Sequence, residues 1–504
     1  MPLPRELMLG VVRPLLQSHS GHLRCLSMSS ARRNVVKELE DRGMVADMTS
    51  RALRKHVEQP VTVYLGVDPS AASLHVGNLA ALCGLIHFRL HGHNAIALIG
   101  GATGAVGDPS GRSTERNALS QAHLNRNIKS ITLQLTEILN HGVSFAQARQ
   151  QRRNTFWVNE PKTGDIKIEN NLNWLGSVSL IDFLSTVGKS ARVSTMLSRE
   201  SVKSRLNSAS GISFTEFTYQ LLQAFDFLTL HQRHNCTIQL GGSDQLGNIV
   251  SGIEMILKNH ANIVPISKDI ELGVGGDQEA PAYGMTMPLL TTASGEKFGK
   301  SAGNAIWLDA KMTSPFDFYQ FFLRSTDAEV ERYLKVFTFI RPIELESILQ
   351  EHKEHPDQRL AQKLLAAETT ELVHGGAGLR QALAATELFY SNDVTSLNTA
   401  SLVAALDARP DLSSETSSRV PSLLVRLARD DFVNQTFDKL LVSSGLFSSK
   451  TQARKAIEAG TIVVNGERVP AKHHQRTITD KDILPGGLIV LKQGKTLHKA
   501  VVLE

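Results

Sequence analysis

The sequence predicts an α/β protein with a parallel-sheet domain, a helical domain and a small C-terminal α+β domain. Near the start, apolar strand segments flank a helix at the spacing of a β–α–β unit. From about 313 the apolar residues recur at helical intervals, and after 434 a basic segment combines a helix with a hairpin. A length of 504 residues and an apolar content of 41% are enough for several domains, each with its own hydrophobic core. We expect domains at 34–312, 313–430 and 435–504.

The first 33 residues have the composition of a targeting segment. They contain five arginines, five serines and one acidic residue, Glu6, and carry a net charge of +4. Such a segment is typical of an organellar transit peptide, and the alternative is a disordered tail. In both cases residues 1–33 lie outside the fold.

The parallel sheet is predicted from three apolar strands. The first is "VTVYLGV" (61–67), followed by a turn and a helix from near His75 to about His91. "NAIALIGG" is the second strand, and "CTIQLGG" (236–242) is another. A strand, helix and strand at this spacing indicate parallel pairing. The G-x-G-x-x-G dinucleotide fingerprint is absent from the sequence.

The helical domain is predicted from segments such as "SPFDFYQFFLR" and "DAEVERYLKVFTFI". A linker is expected around 408–420. In the C-terminal module, "SSKTQARKAIEAG" predicts a Ser-capped helix carrying Lys450, Arg454 and Lys455, and "TIVVNGERV" predicts a hairpin with an Asn-Gly turn.

Charge separates this module from the body of the chain. Residues 435–504 carry a net charge of +5, whereas 34–434 carry −4. A polyanion partner held by the module is therefore expected, and the alternative is a basic folding unit.

Hydropathy and cysteine content exclude some classes. No apolar run approaches the 20 or so residues of a membrane span. The cysteines, Cys25, Cys83 and Cys236, are few, odd in number and far apart. They argue against a disulfide framework and a zinc cluster and fit a reducing compartment.

The segment His75-Val-Gly77-Asn78 falls where the first strand has ended and a helix begins. A helix N-terminus offers free N–H groups and a positive dipole end, which favour phosphate binding. Gly77 would permit close approach of an adenine ring, and the side chains of His75 and Asn78 can donate hydrogen bonds. The alternative is an ordinary helix start.

A polar stripe interrupts the apolar segment 219–228. Tyr219, Gln223 and Asp226 are spaced to share one helical face, and "QLGGSDQLGN" (239–248) follows at the end of a core strand. A buried polar stripe either pairs internally or awaits a ligand.

The loop "GEKFGKSAGNA" (295–305) carries Lys297 and Lys300. Two cations three residues apart in a glycine-rich loop indicate either a solvated surface or a mobile cationic site.

These four motifs together resemble a known family. His75 to Asn78 resembles the HIGH signature of class I aminoacyl-tRNA synthetases, and Lys297-Phe-Gly-Lys300-Ser301 resembles their KMSKS signature. The polar stripe, "QLGGSDQ" (239–245) and "GGATGAVGDPSGRSTER" are similar to tyrosyl-tRNA synthetases of the bacterial type, and the N-terminal segment adds a likeness to mitochondrial members. The resemblance covers about 34–504.

The resemblance implies a Rossmann-like catalytic domain, an all-helical anticodon-side domain and a small RNA-binding domain. It further implies ATP-dependent ligation of L-tyrosine to mitochondrial tRNA(Tyr) through a tyrosyl-adenylate, in the mitochondrial matrix. The expected substrates are tRNA(Tyr), L-tyrosine and ATP with Mg²⁺. A homodimer is expected, and no tightly bound cofactor, protein-held metal or membrane contact is expected.

The resemblance also implies roles for individual residues. Tyr64 and Asp226 would hold the phenolic hydroxyl, and Asp244 would lie on the ribose. The tyrosine site would comprise Tyr64, Asp108, Tyr219, Gln223, Asp226, Gln239 and Gln245. The ATP site would comprise Asp68, His75, Gly77, Gly242, Asp244, Lys297 and Lys300. The catalytic residues would be His75, Asn78, Lys297 and Lys300, and the RNA-binding residues Lys450, Arg454 and Lys455. Asn78 departs from the histidine of the signature.

Two alternatives remain at this point. An RNA-binding scaffold could keep the fold without turnover, but the intact polar stripe and both loop lysines argue against it. A tryptophan-specific relative is disfavoured because Tyr64 and Asp226 match a phenol site. ATP–pyrophosphate exchange with tyrosine and with tryptophan separates the three.

Overall fold

The computed structural model describes residues 34–110, 119–151, 162–209, 211–261, 276–291, 298, 300–301, 304–391, 393–394, 396–407, 423–470, 476–494 and 497–504. The predicted transit peptide, the linker at 408–420, Lys297 and the side chain of Lys300 lie outside these residues. The described chain forms two compact units. The first contains 34–308 and 325–365, and the second contains 309–324 and 366–504.

The strands are numbered along the described chain. They are β1 (Asp47–Met48), β2 (Thr62–Val67), β3 (Asn94–Ile99), β4 (Ile166–Asn170), β5 (Cys236–Gly242), β6 (Tyr283–Met287), β7 (Lys300–Ser301), β8 (Asn304–Ala305), β9 (Leu424–Leu427), β10 (Ile462–Val464), β11 (Glu467–Arg468), β12 (Leu488–Gln493) and β13 (Leu497–Leu503).

The helices are numbered in the same way. They are α1 (Val35–Asp41), α2 (Leu53–His56), α3 (Val76–Leu90), α4 (Thr103–Val106), α5 (Gln121–Gln151), α6 (Leu172–Leu175), α7 (Leu180–Phe183), α8 (Val193–Ser198), α9 (Glu200–Leu206), α10 (Phe214–His234), α11 (Leu246–Ala261), α12 (Pro315–Leu323), α13 (Asp327–Phe337), α14 (Pro342–Glu354), α15 (Leu360–Tyr390), α16 (Thr399–Asp407), α17 (Phe437–Ser443) and α18 (Lys450–Glu458). A π-helical turn, Leu184–Gly188, follows α7.

The first unit is built on a six-stranded sheet in the order β1-β6-β5-β2-β3-β4. β2 pairs in parallel with β3 and β5, and only the short β1 is antiparallel to its neighbour. The three strands predicted from the sequence and their parallel pairing are confirmed. β2 and β3 are buried along nearly their whole length, as expected for strands in the middle of a parallel sheet.

Two helices carry five of the predicted site residues, Gly77 and Asn78 on α3 and Tyr219, Gln223 and Asp226 on α10, and each helix begins at a side-chain cap. α3 starts after His75, which forms a capping box with Asn78. α10 starts after Ser213. The Ser213 hydroxyl accepts a hydrogen bond from the Glu216 N–H, and the Glu216 carboxylate accepts one from the Ser213 N–H. α10 then runs for 21 residues and ends at Asn235 in the left-handed conformation.

The second unit combines helices with a five-stranded sheet in the order β11-β10-β12-β13-β9. The hairpin β10–β11 turns at Asn465 and Gly466, both at positive φ, as the predicted Asn-Gly turn requires. α18 begins after the Ser449 cap, as predicted. β9 lies within the range expected to be helical, and it joins this sheet by parallel pairing with β13.

Two of the cysteines, Cys83 and Cys236, are buried and free. Within the described part of the chain, no helix combines the length and hydropathy needed to cross a membrane.

Candidate active site

A cleft of about 390 Å³ opens at the carboxyl ends of β2 and β5, beside the first turn of α3. This is the edge of a parallel sheet at which α/β proteins bind ligands. The structure brings together here every predicted catalytic, tyrosine-site or ATP-site residue whose side chain it describes. They are Tyr64, Asp68, His75, Gly77, Asn78, Asp108, Tyr219, Gln223, Asp226, Gln239, Gly242, Asp244 and Gln245.

Tyr64 and Asp226 lie at the buried end of the cleft. Tyr64 is 1% exposed, and its hydroxyl has no hydrogen-bond partner within the described structure. Burial, followed by the nearby Asp226 charge, raises the pKa of Tyr64 well above its ordinary value, so the hydroxyl keeps its proton. An unpaired buried hydroxyl costs free energy unless a ligand satisfies it.

The Asp226 carboxylate is held from both sides. Trp174 Nε1 donates to Oδ1 at 2.7 Å, and Asn171 Nδ2 donates to Oδ2 at 2.9 Å. Burial raises the pKa of Asp226 to about 7, although the two hydrogen bonds favour the charged form. When ionised, this carboxylate accepts hydrogen bonds at both oxygens, whereas protonation turns one oxygen into a donor and weakens its capacity to accept from a ligand hydroxyl.

A hydrogen-bonded chain extends from Asp226 along one wall. Asn171 Nδ2 also donates to Thr103 Oγ1 at 3.0 Å, and Thr103 donates to Asp68 Oδ1 at 2.9 Å. Tyr219 donates its hydroxyl to Asp68 Oδ2 at 2.9 Å. Two members of the predicted polar stripe, Tyr219 and Asp226, are thus joined through side chains from other elements.

A second network forms the other wall. Gln245 donates to Asp108 Oδ2 at 2.7 Å, and Gln223 donates to Gln245 Oε1 at 3.2 Å. Asn248 donates to Gln223 Oε1 at 2.9 Å, and the other Asp108 oxygen accepts from the Ser110 N–H at 2.9 Å. The three residues of the polar stripe therefore pair with other residues of the cleft, and all three line it.

Gln239 adds a second buried polar atom without a partner. Its side chain is 2% exposed, and Oε1 has no hydrogen bond within the described residues. Together with the Tyr64 hydroxyl, it makes the inner cleft a site that a polar ligand would complete.

The first turn of α3 is arranged by its own signature residues. His75 Nδ1 accepts from the Gly77 N–H at 3.0 Å, and Asn78 Oδ1 accepts from the His75 N–H at 3.1 Å. With Nδ1 acting as an acceptor, a neutral His75 carries its proton on Nε2. The Asn78 oxygen is used in the same way, which leaves the amide N–H groups as its donors.

Two glycines are required by close approach. A Cβ on Gly77 would lie 2.7 Å from His75 Cε1, and a Cβ on Gly242 would lie 2.6 Å from Asp244 Oδ1. Any side chain at either position would displace a neighbouring residue that was itself predicted to bind the nucleotide.

Sequence reasoning missed Asn171, Trp174, Thr103 and Asn248. Asn171 directly follows β4, so the rule that ligand-binding residues follow parallel strands could have found it. Thr103 and Asn248 lie inside segments that the sequence analysis quoted but were not named there, and Trp174 carries no local signal that separates it from a core residue.

The predicted RNA-binding residues lie on α18. Lys450 and Lys455 are exposed. Arg454 is half-exposed and donates to the buried carboxylate of Asp438 at 2.7 Å, so it also links α18 to α17.

Comparison with known proteins identifies the family. Residues 55–391 match the family of class I tRNA synthetases (W and Y), and 415–501 match the tyrosine–tRNA ligase SYY-like C-terminal domain. The mitochondrial tyrosine–tRNA ligase of Drosophila melanogaster is 40% identical over 97% of this chain and 98% of its own length. The tyrosine–tRNA ligase of Geobacillus kaustophilus is 40% identical over 92% of this chain and 98% of its own length.

A solved structure shows the same relationship. The C-terminally truncated mitochondrial tyrosyl-tRNA synthetase of Aspergillus nidulans is 34% identical, with a TM-score of 0.60, over 70% of this chain and 93% of its own. The first family model includes tryptophan enzymes, but the C-terminal model and these relatives are all tyrosine enzymes. The chain therefore belongs to the class I tyrosyl-tRNA synthetase family, the tyrosine–tRNA ligases.

Proposed function

We propose that this tyrosine–tRNA ligase binds L-tyrosine with its hydroxyl between Tyr64 and Asp226, activates it with ATP and transfers it to mitochondrial tRNA(Tyr). The observation that carries the proposal is the buried, unpaired Tyr64 hydroxyl beside a carboxylate held by two donors. A phenolic hydroxyl placed there would donate to Asp226 and accept from Tyr64.

The same pair would exclude phenylalanine. A ligand without the hydroxyl would leave both buried groups unpaired, which is the costly case for a polar site. Tyrosyl-tRNA synthetases are the established example of this effect, with discrimination of about 10⁵ against phenylalanine.

The amino-acid end of tyrosine would lie between the two hydrogen-bonded walls. Tyr219 and Gln223 would approach the α-ammonium, and Asp108 would supply its negative partner. Gln239 and Gln245 would complete this part of the site. Gln223, Gln245 and Asp108 are already joined by hydrogen bonds, and Tyr219 is bonded to Asp68. Binding would therefore exchange partners in a prearranged part of the site.

In the activation step, a tyrosine carboxylate oxygen forms a bond to the α-phosphorus of ATP. The bond from that phosphorus to the bridging oxygen breaks, and pyrophosphate leaves with the electron pair. No covalent enzyme intermediate is needed, so catalysis consists of positioning and charge stabilisation. His75, Asn78 and the first turn of α3 would serve the α-phosphate, and Lys297 and Lys300 the leaving pyrophosphate.

The rest of the nucleotide would lie along β5 and the end of β2. Asp244 would bind the ribose, with Gly242 and Asp68 nearby. We assign Mg²⁺ to the ATP phosphates, because Mg²⁺ commonly binds through substrate phosphates and keeps several waters. The described residues contain no group of three His, Cys, Asp or Glu side chains arranged to hold a metal.

The C-terminal module would bind tRNA through Lys450, Lys455 and Arg454. Its exposed cations would release counterions from the phosphate backbone on binding. We also assign residues 1–33 to a transit peptide cleaved near Arg33 in the mitochondrial matrix. Mass spectrometry of the organellar protein should show the shortened N-terminus, and an intact Met1 would contradict this.

A homodimer is supported by large apolar side chains exposed in the first unit. Leu180, Ile181 and Leu184 are 71%, 78% and 51% exposed, and Phe214 at the start of α10 is 74% exposed. We propose that a second copy of the chain covers them. Ile181→Glu should shift the protein to a monomer in sedimentation, and an unchanged mass would contradict this surface.

The test of the function is ATP–pyrophosphate exchange. Exchange should depend on tyrosine and not on tryptophan, and tRNA charging should follow. Lys300→Ala should lower the rate of adenylate formation with little change in the tyrosine dissociation constant, because its contact is made in the transition state. Exchange with tryptophan, or none at all, would refute the proposal.

A further inference from the structure

Phe298, the aromatic residue of the loop that carries Lys297 and Lys300, packs against a helix, and we call this contact the clamp. Phe298 is 3% exposed, although its sequence neighbours include glycine and lysine. Its ring stacks on Phe337, with centroids 5.4 Å apart and planes at 22°. Tyr333 packs on the same ring at 4.6 Å. Both Tyr333 and Phe337 belong to α13 and are themselves buried, so the ring of Phe298 packs against a fixed surface of that helix.

The backbone of Phe298 is held at two further points. Its N–H donates to Leu290 O at 2.9 Å. Its carbonyl oxygen lies 3.5 Å from the position that a Cβ on Gly77 would occupy. Phe298 therefore joins α13 to the first turn of α3, where the α-phosphate is proposed to bind.

The helix that Phe298 contacts, α13, is held at its C-terminal end. The guanidinium of Arg42 is buried and donates to the carbonyl oxygens of Lys335, Thr338 and Ile340 at 3.1, 2.8 and 2.8 Å. Its Nε pairs with Glu38 at 2.7 Å. A cation on the last carbonyls of a helix stabilises that end, so α13 is a rigid base for its aromatic side chains.

We propose that Tyr333 and Phe337 are positioning residues for adenylate formation, acting through Phe298 on Lys297 and Lys300. The two lysines lie one and two residues from Phe298, so their Cα atoms are within about 8 Å of its Cα. Because Phe298 is held, the chain on either side of it starts from a fixed residue, and we infer that this limits the positions that the two ammonium groups can reach. The inference rests on the proposed function, because it needs the lysines to act on pyrophosphate.

Tyr333→Leu and Phe298→Leu test the clamp from its two sides. Each variant places an apolar side chain at its position and removes a ring contact, and the second leaves α13 intact. Tyr333→Leu also removes the hydroxyl that donates to Thr291 O and Glu329 Oε1 at 3.4 and 3.3 Å. The rate constant of tyrosyl-adenylate formation should fall about 2- to 12-fold, the range that corresponds to one aromatic pair. The tyrosine dissociation constant should not change, because tyrosine binds elsewhere in the cleft. Tyr333→Phe keeps the ring and should restore most of the rate.

A matched control is Phe145→Leu. Phe145 is a buried aromatic residue of α5 in the same unit, and it packs on Phe339 with centroids 6.4 Å apart. This variant should lose thermal stability without a change in the adenylation rate. If the clamp variants lowered tyrosine affinity as much as the rate, or left the rate unchanged, the positioning role would be wrong.

A double-mutant cycle with Lys300→Ala tests the route of action. If Tyr333 acts through the lysines, the effect of Tyr333→Leu should be smaller in the Lys300→Ala background than in the parent, because only the part that acts through Lys297 remains. Fully additive effects would overturn the proposal. Hydrogen exchange at the Phe298 amide should also be faster in Tyr333→Leu. This readout needs no activity, so unchanged exchange refutes the clamp even if the proposed function fails.

Discussion

Replacement of Trp174 by Phe should change how tyrosine binding depends on pH. The substitution keeps a buried ring but removes the Nε1–H that donates to Asp226 Oδ1 at 2.7 Å. A hydrogen bond to a charged group contributes roughly 1.5–3 kcal/mol. At about 1.36 kcal/mol per pH unit, its loss should raise the pKa of Asp226 from about 7 to about 8 or 9.

The consequence for binding follows from the fraction of ionised Asp226. If tyrosine binds only to the ionised carboxylate, which accepts a hydrogen bond from the phenol, affinity falls about tenfold for each pH unit below the pKa of Asp226. At pH 7.5 most of the parent carboxyl is ionised, whereas only a minority is ionised in the variant. The tyrosine dissociation constant should therefore be about 3- to 25-fold higher in the variant at pH 7.5. The difference should shrink towards pH 9.5.

Isothermal titration calorimetry with tyrosine from pH 6 to 9.5 measures this effect. The ratio of variant to parent dissociation constants is the informative quantity, because ionisation of tyrosine itself cancels. Asp226→Asn is the control, since an amide cannot ionise and its affinity should lack the inflection near pH 7. A ratio for Trp174→Phe that stays constant over the whole range would refute the reasoning.

Three further predictions concern stability and tRNA binding. Because the folded pKa of Asp226 is about 7 against an ordinary 3.8, the folded protein binds the extra proton and loses stability as pH rises. Relative to Asp226→Asn, the free energy of unfolding should fall by about 2–3 kcal/mol between pH 5 and 8, and parallel urea profiles would contradict this. Arg454→Ala should lower stability by about 1–2 kcal/mol as well as tRNA affinity, since it leaves the buried Asp438 without its ion pair, whereas Lys455→Ala should lower tRNA affinity alone in melting and binding assays. A chain ending at Asp407, before β9, should still form tyrosyl-adenylate but charge tRNA poorly, with a shallower salt dependence of binding. If both activities fell together, the module would be needed for folding of the catalytic unit.

The local patterns in the sequence determined much of this protein. Short continuous apolar runs identified β2, β3 and β5, and the segment between the first two identified α3, because the composition and length of such runs are local properties. The Asn465-Gly466 turn and the Ser449 cap were readable for the same reason. The residues of the cleft could be named because they lie at strand ends, on one face of α10, or in motifs resembling a known family.

Only the tertiary structure decided which partners these residues have. Asn171 and Trp174 come from elements after β4, and they hold Asp226 on a different helix. Likewise, Phe298 meets Tyr333 and Phe337 across a long stretch of chain. Such contacts depend on how elements pack, and no sequence period encodes a pairing between distant segments. The raised pKa of Asp226 has the same origin, because burial is a property of the folded chain.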